Sequence, residues 1–364
     1  MDSRPRAQAE LDRPGPYPFL GGPVPVREQQ WAEDVEVMVS VACITYNHEP
    51  YIGEAIEGFL SQRTTFRVEV FIHDDASIDG TADIVREYQR RYPHIIRSIC
   101  QTENQYSQGN RPSLIVKEHL TGKYLAICEG DDYWSDPLKL QKQVLFLEEN
   151  PEYGLVHSDC DKYLQRSGTW VRNANRDSQN HIEPSGPKEL FYKLLSLEYK
   201  VRTATVLYRH DLIRNKQPRK RRFPMGDTPM WLELCHMTRF KYLNEVTAVY
   251  RVLPGSLTKS TSRPRYLRFR LAMMEMRIYY CNEFGYAIPE DVRRGYNNAL
   301  LRYMIYHPTY EPDEPLFEPT AWQQKRWRRL RHPVLRVLYV PAYVGIDLLR
   351  LVYRGLRSRA GDRK

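Results

Sequence analysis

The sequence predicts an α/β protein with a doubly wound, mostly parallel sheet, and three observations carry that expectation. Residues 35–45 are almost continuously apolar and β-branched, as a strand covered on both faces must be. Residues 68–72 and 124–128 repeat the pattern. Between them lie segments of helical periodicity, Ile52, Ala55, Ile56, Phe59 and Leu60 in one and Ile84, Val85 and Tyr88 in the other. Strands alternating with helices of this length make βαβ units with right-handed crossovers.

The remaining elements follow in order. Tyr46-Asn-His-Glu-Pro50 is a polar turn, with Pro50 suited to a first helical turn. Ser77 or Asp79 is placed to cap the second helix. A third strand is expected at 95–100, then a polar loop at 101–112. Ser135-Asp-Pro137 starts a helix over 138–149, and a strand follows at 154–157. After Arg263 the pattern turns helical and aromatic, with Met273, Met274, Met276, Tyr279 and Tyr280 spaced for packing. The expected organisation is a flexible N-terminal tail (1–34), two halves of one α/β domain (35–160 and 161–262), a helical extension (263–321) and a basic amphipathic tail (322–364).

The bulk numbers fit a globular chain of 364 residues, with 41% hydrophobic and 27% charged side chains. Residues 1–34 carry prolines and charges without an apolar core segment, unlike a signal peptide. Six widely spaced cysteines without a CxxC pair suit a reducing, cytoplasmic compartment. The net charge of +9 is uneven: residues 322–364 hold twelve Lys and Arg against Asp347 and Asp362, which leaves the body near neutrality. That excludes a nucleic-acid-binding core; no nucleic acid partner is expected. The tail interleaves Trp322, Trp327 and Tyr339 with arginines, and residues 333–353 include Arg336, Pro341, Asp347 and Arg350. It falls short of the ~20 apolar residues of a spanning helix. It suits an interfacial helix on an anionic membrane surface, or else a helix packed on the body.

Acidic residues close two of the strands. Asp74 and Asp75 follow the strand at 68–72, and Glu129, Asp131 and Asp132 follow that at 124–128. In sheets of this kind ligands bind beyond the carboxyl ends of the strands, so these residues and Tyr46 should meet in one crevice. Clustered carboxylates repel one another unless a cation lies among them. Hard oxygen donors suit Mg²⁺ or Mn²⁺ shared with a diphosphate; the plainer alternative is a helix cap or solvated turn. Asp227, before an apolar helix start, is likewise either a cap or a base.

The segments Val41-Ala-Cys-Ile-Thr-Tyr-Asn47, Ile72-His-Asp-Asp-Ala-Ser-Ile-Asp-Gly-Thr81 and Cys128-Glu-Gly-Asp-Asp-Tyr-Trp134 resemble the nucleotide-binding motifs of family 2 glycosyltransferases. Met225-Gly-Asp-Thr-Pro-Met-Trp231 and Tyr250-Arg-Val-Leu-Pro-Gly-Ser256 resemble that family's acceptor side, and the likeness spans about residues 37–257. It implies a GT-A fold with a Rossmann-like nucleotide-binding half, inverting transfer and a divalent cation, Mn²⁺ or Mg²⁺. By position, it implies that Tyr46 packs on the base, Asp74 accepts the N3–H of uracil and Asp75 lies beside it. Glu129 stands near the ribose where the family usually has Asp, Asp131 ligates the cation, Asp227 is the base and Arg251 contacts the diphosphate. Leu253 replaces a histidine common in relatives, which leaves His236 or water as a substitute contact. Arg202-Thr-Ala-Thr205 resembles an acceptor-side strand. The basic stretch 215–222 is a solvated loop or a dock for a phosphate-bearing acceptor.

The resemblance therefore implies a hexosyltransferase-type enzyme. It would move sugar from a UDP- or dTDP-linked nucleotide-sugar donor to a glycan or lipid-linked acceptor in cell-envelope synthesis, peripherally bound at the inner membrane face. Gln-x-x-Arg-Trp is absent from the acceptor half (161–262), which favours single additions. The competing readings are a nucleotidyltransferase, which would need a lysine-containing phosphate loop in place of Tyr46-Asn-His-Glu-Pro50, and a catalytically inactive membrane-associated scaffold.

Overall fold

The computed structural model describes residues 22–214, 221–254 and 262–307. The chain divides into two compact units: residues up to Arg221 together with Gly226–Pro254, and Arg222–Met225 together with the residues after Pro254.

In the first unit β1 (Val24–Pro25) leads to β2 (Val39–Thr45), α1 (Ile52–Leu60), β3 (Arg63–Thr64), β4 (Val68–Asp74), α2 (Thr81–Arg91) and β5 (Ile96–Cys100). Next come α3 (Pro112–Lys117), β6 (Tyr124–Ile127), β7 (Tyr133–Trp134), α4 (Lys139–Glu149), β8 (Tyr153–Leu164) and β9 (Thr169–Val171). The unit closes with α5 (Pro187–Ser196), β10 (Leu207–Arg209), α6 (Asp211–Arg214), α7 (Asp227–Leu234) and β11 (Arg239–Val252). The main sheet runs β5-β4-β2-β6-β10-β8-β11-β7, with β9 paired to β8.

The α/β class holds, but the sheet is mixed rather than mostly parallel. β5, β4, β2 and β6 are parallel, as are β8 and β11. β10 runs antiparallel to both β6 and β8, and β7 antiparallel to β11. A strand of three residues is too short to show a periodicity. The acceptor-side strand expected at 202–205 is a 3-10 turn, Thr203–Thr205, and the strand begins two residues later.

Ile52, Ala55, Ile56, Phe59 and Leu60 of α1 are fully buried, as their spacing requires. Gly58 lets this helix touch β7: a Cβ there would lie 3.0 Å from the Trp134 nitrogen. The N-terminal segment is not loose along its described part. β1 pairs with β3, Val26 is wholly buried, and the Gln29 amide donates to Thr64 Oγ1 at 2.8 Å. Its apolar anchor and side-chain clamp hold residues 24–29 against the body.

The second unit contains α8 (Arg263–Glu283) and α9 (Glu290–Tyr306). Met274, Met276 and Tyr280 are buried, and Phe223 packs edge-on to Tyr279 with centroids 5.5 Å apart. Gly295 permits close approach of the two helices, since a Cβ there would sit 2.9 Å from Met274 Sδ. Among the described residues, no helix is long and apolar enough to cross a membrane. Residues 215–220 and the tail at 322–364 lie outside the described residues.

Candidate active site

The carboxyl ends of β2, β4 and β6 adjoin one another. Thr45 pairs with Asp74, the Asp75 N–H donates to the Thr45 carbonyl at 3.0 Å, and beyond β6 the Gly130 N–H donates to the Ile44 carbonyl at 3.0 Å. Gly130 is required between the acidic residues, because a Cβ there would lie 2.6 Å from Thr45 Oγ1.

Tyr46 is exposed at the end of β2. Beside it, Asn47 adopts a left-handed conformation (φ 56°), a region where asparagine is one of the better tolerated side chains. This turn is laced to the loop after β4. The Asn47 N–H donates to Ser77 Oγ at 2.8 Å, Asn47 Oδ1 accepts from the Ile78 N–H at 2.9 Å, and Glu49 Oε2 accepts from the Gly80 N–H at 2.8 Å. Ser77 donates its backbone N–H to Asp74 at 3.1 Å and its hydroxyl to the same carboxylate. Asp79 accepts from the Thr81 N–H at the start of α2 at 3.1 Å.

Asp75 turns away from this cluster. Its oxygens accept the Gln105 and Tyr106 N–H groups at 2.8 and 3.1 Å, and His73 Nε2 lies 3.4 Å from Oδ1. It organises the loop after β5.

Glu129, Asp131 and Asp132 follow β6 as expected, and they differ in environment. Asp132 is buried and accepts the Arg251 N–H at 2.8 Å. Burial, then the charges of Asp131 and Glu129, push its carboxyl well above the usual range. Surrounding protein, then Asp131 and Asp227, push Glu129 up to about 7. The side chain is nonetheless open to solvent, so water screens part of this rise. Asp227, on another element and nearly a hundred residues away, is one of the charges that act on Glu129. Asp227 is exposed at the first position of α7 and accepts its neighbour Thr228 N–H at 2.7 Å, while the position ahead of the helix belongs to Gly226.

Arg251 occupies a different position from the one expected of a free diphosphate ligand. Its guanidinium donates to the Asp131 carbonyl at 2.8 Å and to the Glu54 carboxylate, between the rings of Tyr51 (5.1 Å) and Tyr133 (4.7 Å). The side chain is a strut beneath Asp131. Leu253 is half-buried, and His236, in the turn after α7, has Nδ1 3.1 Å from the Leu232 carbonyl of that helix, with its ring against Phe191.

Sequence reasoning missed Glu54 and Lys139, and it read Ser77 as a helix cap where the side chain instead holds Asp74. Lys139 is fully buried behind the acidic turn, 4.3 Å from the Trp134 ring centroid, with Nζ donating to Gln143 Oε1 at 3.0 Å. Burial pulls it down to about 7.

Among the described residues, no three His, Cys, Asp or Glu side chains are grouped to hold a metal unaided. The residues present fit a cation in another way. Mg²⁺-type sites in nucleotide enzymes use one or two carboxylates and take their remaining oxygens from phosphate and water. Asp131, with its backbone fixed by Arg251 and Glu129 alongside, meets that requirement.

A mixed α/β sheet with acidic side chains at adjacent strand ends has the architecture of a GT-A glycosyltransferase. The family model described as glycosyl transferase family 2 matches residues 40–245, and the chain belongs to that family. An uncharacterised protein of Mycobacterium tuberculosis is 50% identical over 114 residues, 31% of this chain and 32% of that protein, so the match spans about a third of that relative. A Bacillus subtilis protein named as a candidate teichuronic acid biosynthesis glycosyltransferase, TuaG, is 33% identical over 112 residues, 31% of this chain and 42% of that one. The crystal structure of Staphylococcus aureus TarS 1–349 with UDP-GlcNAc shares the fold at 17% identity and TM-score 0.51, covering 81% of this chain and 79% of that chain.

Proposed function

We propose that this chain is an inverting glycosyltransferase that moves a sugar from a UDP- or dTDP-linked donor to a hydroxyl of a glycan or lipid-linked acceptor. The observation that supports this reading is that the charges of both Asp131 and Asp227 bear on Glu129, as suits a base candidate near a diphosphate-side carboxylate.

Tyr46 covers the base and Asp74 accepts its N3–H. Asp74 keeps lone pairs for that contact beyond those used by Ser77. Asp75 holds the neighbouring loop in place, and Glu129 faces the ribose. Asp131 would hold Mn²⁺ or Mg²⁺, which when bound supplies charge stabilisation for the leaving diphosphate. Arg251 fixes the Asp131 backbone, so this carboxylate is positioned before the donor arrives. Asp227 accepts the proton of the acceptor hydroxyl on the far face of the sugar. The likeness to TuaG supports a cell-envelope polysaccharide or glycolipid as product. The basic tail at 322–364 supports peripheral attachment to an anionic membrane face; loss of membrane association on deleting it tests that part.

A screen of nucleotide sugars for Mn²⁺-dependent hydrolysis tests the reading without knowledge of the acceptor. One uridine or thymidine donor should turn over, and Asp131→Asn should abolish turnover. Failure of every nucleotide sugar, with UDP binding indifferent to Mn²⁺, would instead favour a non-catalytic role.

A further inference from the structure

Across Tyr250 from the donor carboxylates lie three cations that the proposed mechanism does not use. Lys162 on β8 pairs in register with Tyr250 on β11, so both side chains leave the same face of the sheet. Arg202, entering the 3-10 turn, has its Cζ 5.6 Å from the Tyr250 ring centroid. Lys200 lies two residues before it, with its backbone clamped by the Asn180 amide: N–H to Oδ1 at 2.7 Å and carbonyl to Nδ2 at 2.8 Å. All three side chains are half-buried.

None of the three makes an ion pair among the described residues. The neighbouring carboxylates have other work. Asp161 pairs with Arg172 and accepts the Asn173 N–H at 3.0 Å, while Asp159 accepts the N–H groups of Cys160 and Asn175 at 2.7 and 2.9 Å. Arg202 Nε is buried without a partner. Burial, then the positive charges of Arg202 and Lys200, hold the Lys162 ammonium below its usual range. Unpaired cations crowded together at partial burial are costly to fold unless an anion joins them. The donor crevice is close by: Tyr250 precedes Arg251, which bonds Asp132, and burial followed by the Asp132 charge pushes the Tyr250 phenol up to about 12.

We propose that Lys162, Lys200 and Arg202 bind an anionic group, a carboxylate or a phosphate, on the acceptor glycan. The proposal rests on the glycosyltransferase reading and adds to it the class of acceptor. A charged acceptor anchored here has its hydroxyl directed across Tyr250 towards Asp227 and the sugar. The donor and acceptor sides separate accordingly: the donor diphosphate meets Asp131 with its cation, and the acceptor anion meets the three cations.

The test uses the full chain loaded with UDP and Mn²⁺ on an array of matched neutral, carboxylated and phosphorylated oligosaccharides at fixed ionic strength. The unaltered chain should prefer one anionic class, and that class distinguishes uronate from phosphate. A Lys162→Gln/Arg202→Gln double variant should lose about tenfold or more of that binding, the worth of a charge-assisted hydrogen bond or two. Neutral spots and UDP affinity by calorimetry should not move, which also reports intact folding. Arg202→Lys, keeping the charge, should retain most of the binding. The basic tail is present throughout, so its contribution cancels between variants. Equal binding of neutral and anionic sugars by the unaltered chain, or an unchanged pattern in the double variant, overturns the proposal. A fall in UDP affinity also overturns it, by assigning the cations to the donor. Donor hydrolysis by the unaltered chain is scored separately. Its absence would remove the glycosyltransferase reading, whereas selective loss of anionic spots would leave an anion site standing.

Discussion

Arg251 donates its backbone N–H to Asp132 Oδ1 and its guanidinium to the Asp131 carbonyl, both at 2.8 Å. One residue thereby gives two adjacent aspartates different work. The Asp132 carboxylate is consumed inside the protein, whereas the Asp131 carboxylate accepts no hydrogen bond among the described residues.

The two should respond differently to substitution. Asp131→Asn should fold normally and lose donor hydrolysis by about 100-fold or more, since it removes charge from the diphosphate side. Asp132→Ala strands a buried N–H and should cost roughly 1–3 kcal/mol in urea unfolding. A large stability loss in the first variant and none in the second would reverse the assignment.

Asp227 is exposed and makes only a local hydrogen bond, so Asp227→Asn should leave UDP affinity intact. Transfer should fall by roughly 10²–10⁴, the range for loss of a general base. Single-turnover transfer beside UDP titration separates the two. An active Asp227→Asn enzyme would mean that the proton leaves by another route.

Surrounding protein and the charges of Asp131 and Asp227 raise the Glu129 carboxyl from 4.5 towards about 7, less what water screens. The folded protein therefore holds this proton more tightly, and stability declines as pH rises from about 4.5 to 7. Glu129→Gln removes that decline. Its gain in melting temperature over the parent should be larger at pH 8 than at pH 5; a gain equal at both pH values would show that Glu129 does not titrate in this window.

Lys139 shifts the opposite way, from 10.5 to about 7. The unfolded chain binds the proton more tightly here, so the stability penalty is absent above about 10.5 and grows until the pH has fallen to about 7. Lys139→Met should look best, relative to the parent, at pH 6 to 7. It should lose roughly 2–3 kcal/mol of that relative standing by pH 9, about two pH units of linkage. Urea melts at the two pH values measure the difference.

Gly130→Ala places a methyl 2.6 Å from Thr45 Oγ1, and the turn must shift. The expected cost is about 1–3 kcal/mol, as for other overpacked sites, with weaker Mn²⁺-dependent UDP binding. Normal affinity in a destabilised variant would separate the packing role from the metal role.

Much of the donor half was legible because its signals are local. Apolar strands that run to Asp74 and to the turn holding Asp131, and α1 with five apolar residues at helical spacing, state their structure in a single window of sequence. What stayed hidden depends on distant partners or very short elements. Glu54 meets Arg251 across 197 residues, and no local pattern links them. Strand β10 has three residues, too few to announce its reversed direction. Arg251 carried a charge suited to phosphate, but its sequence position could not show that two tyrosine rings and Glu54 already enclose it. The ordered segment at 24–29 was overlooked because Val26 and Gln29 act singly, outside any run.

The hydrogen bonds that join Asn47 and Glu49 to residues 77–80 have a consequence for nucleotide choice. They link the walls on either side of the base into one piece, so the cost of ordering both loops is met during folding. Affinity differences between uracil, thymine and other bases should then arise from direct contacts at Tyr46 and Asp74, with little entropic contribution from the loops. Loosening Asn47 should blur that discrimination more than it weakens binding to the diphosphate.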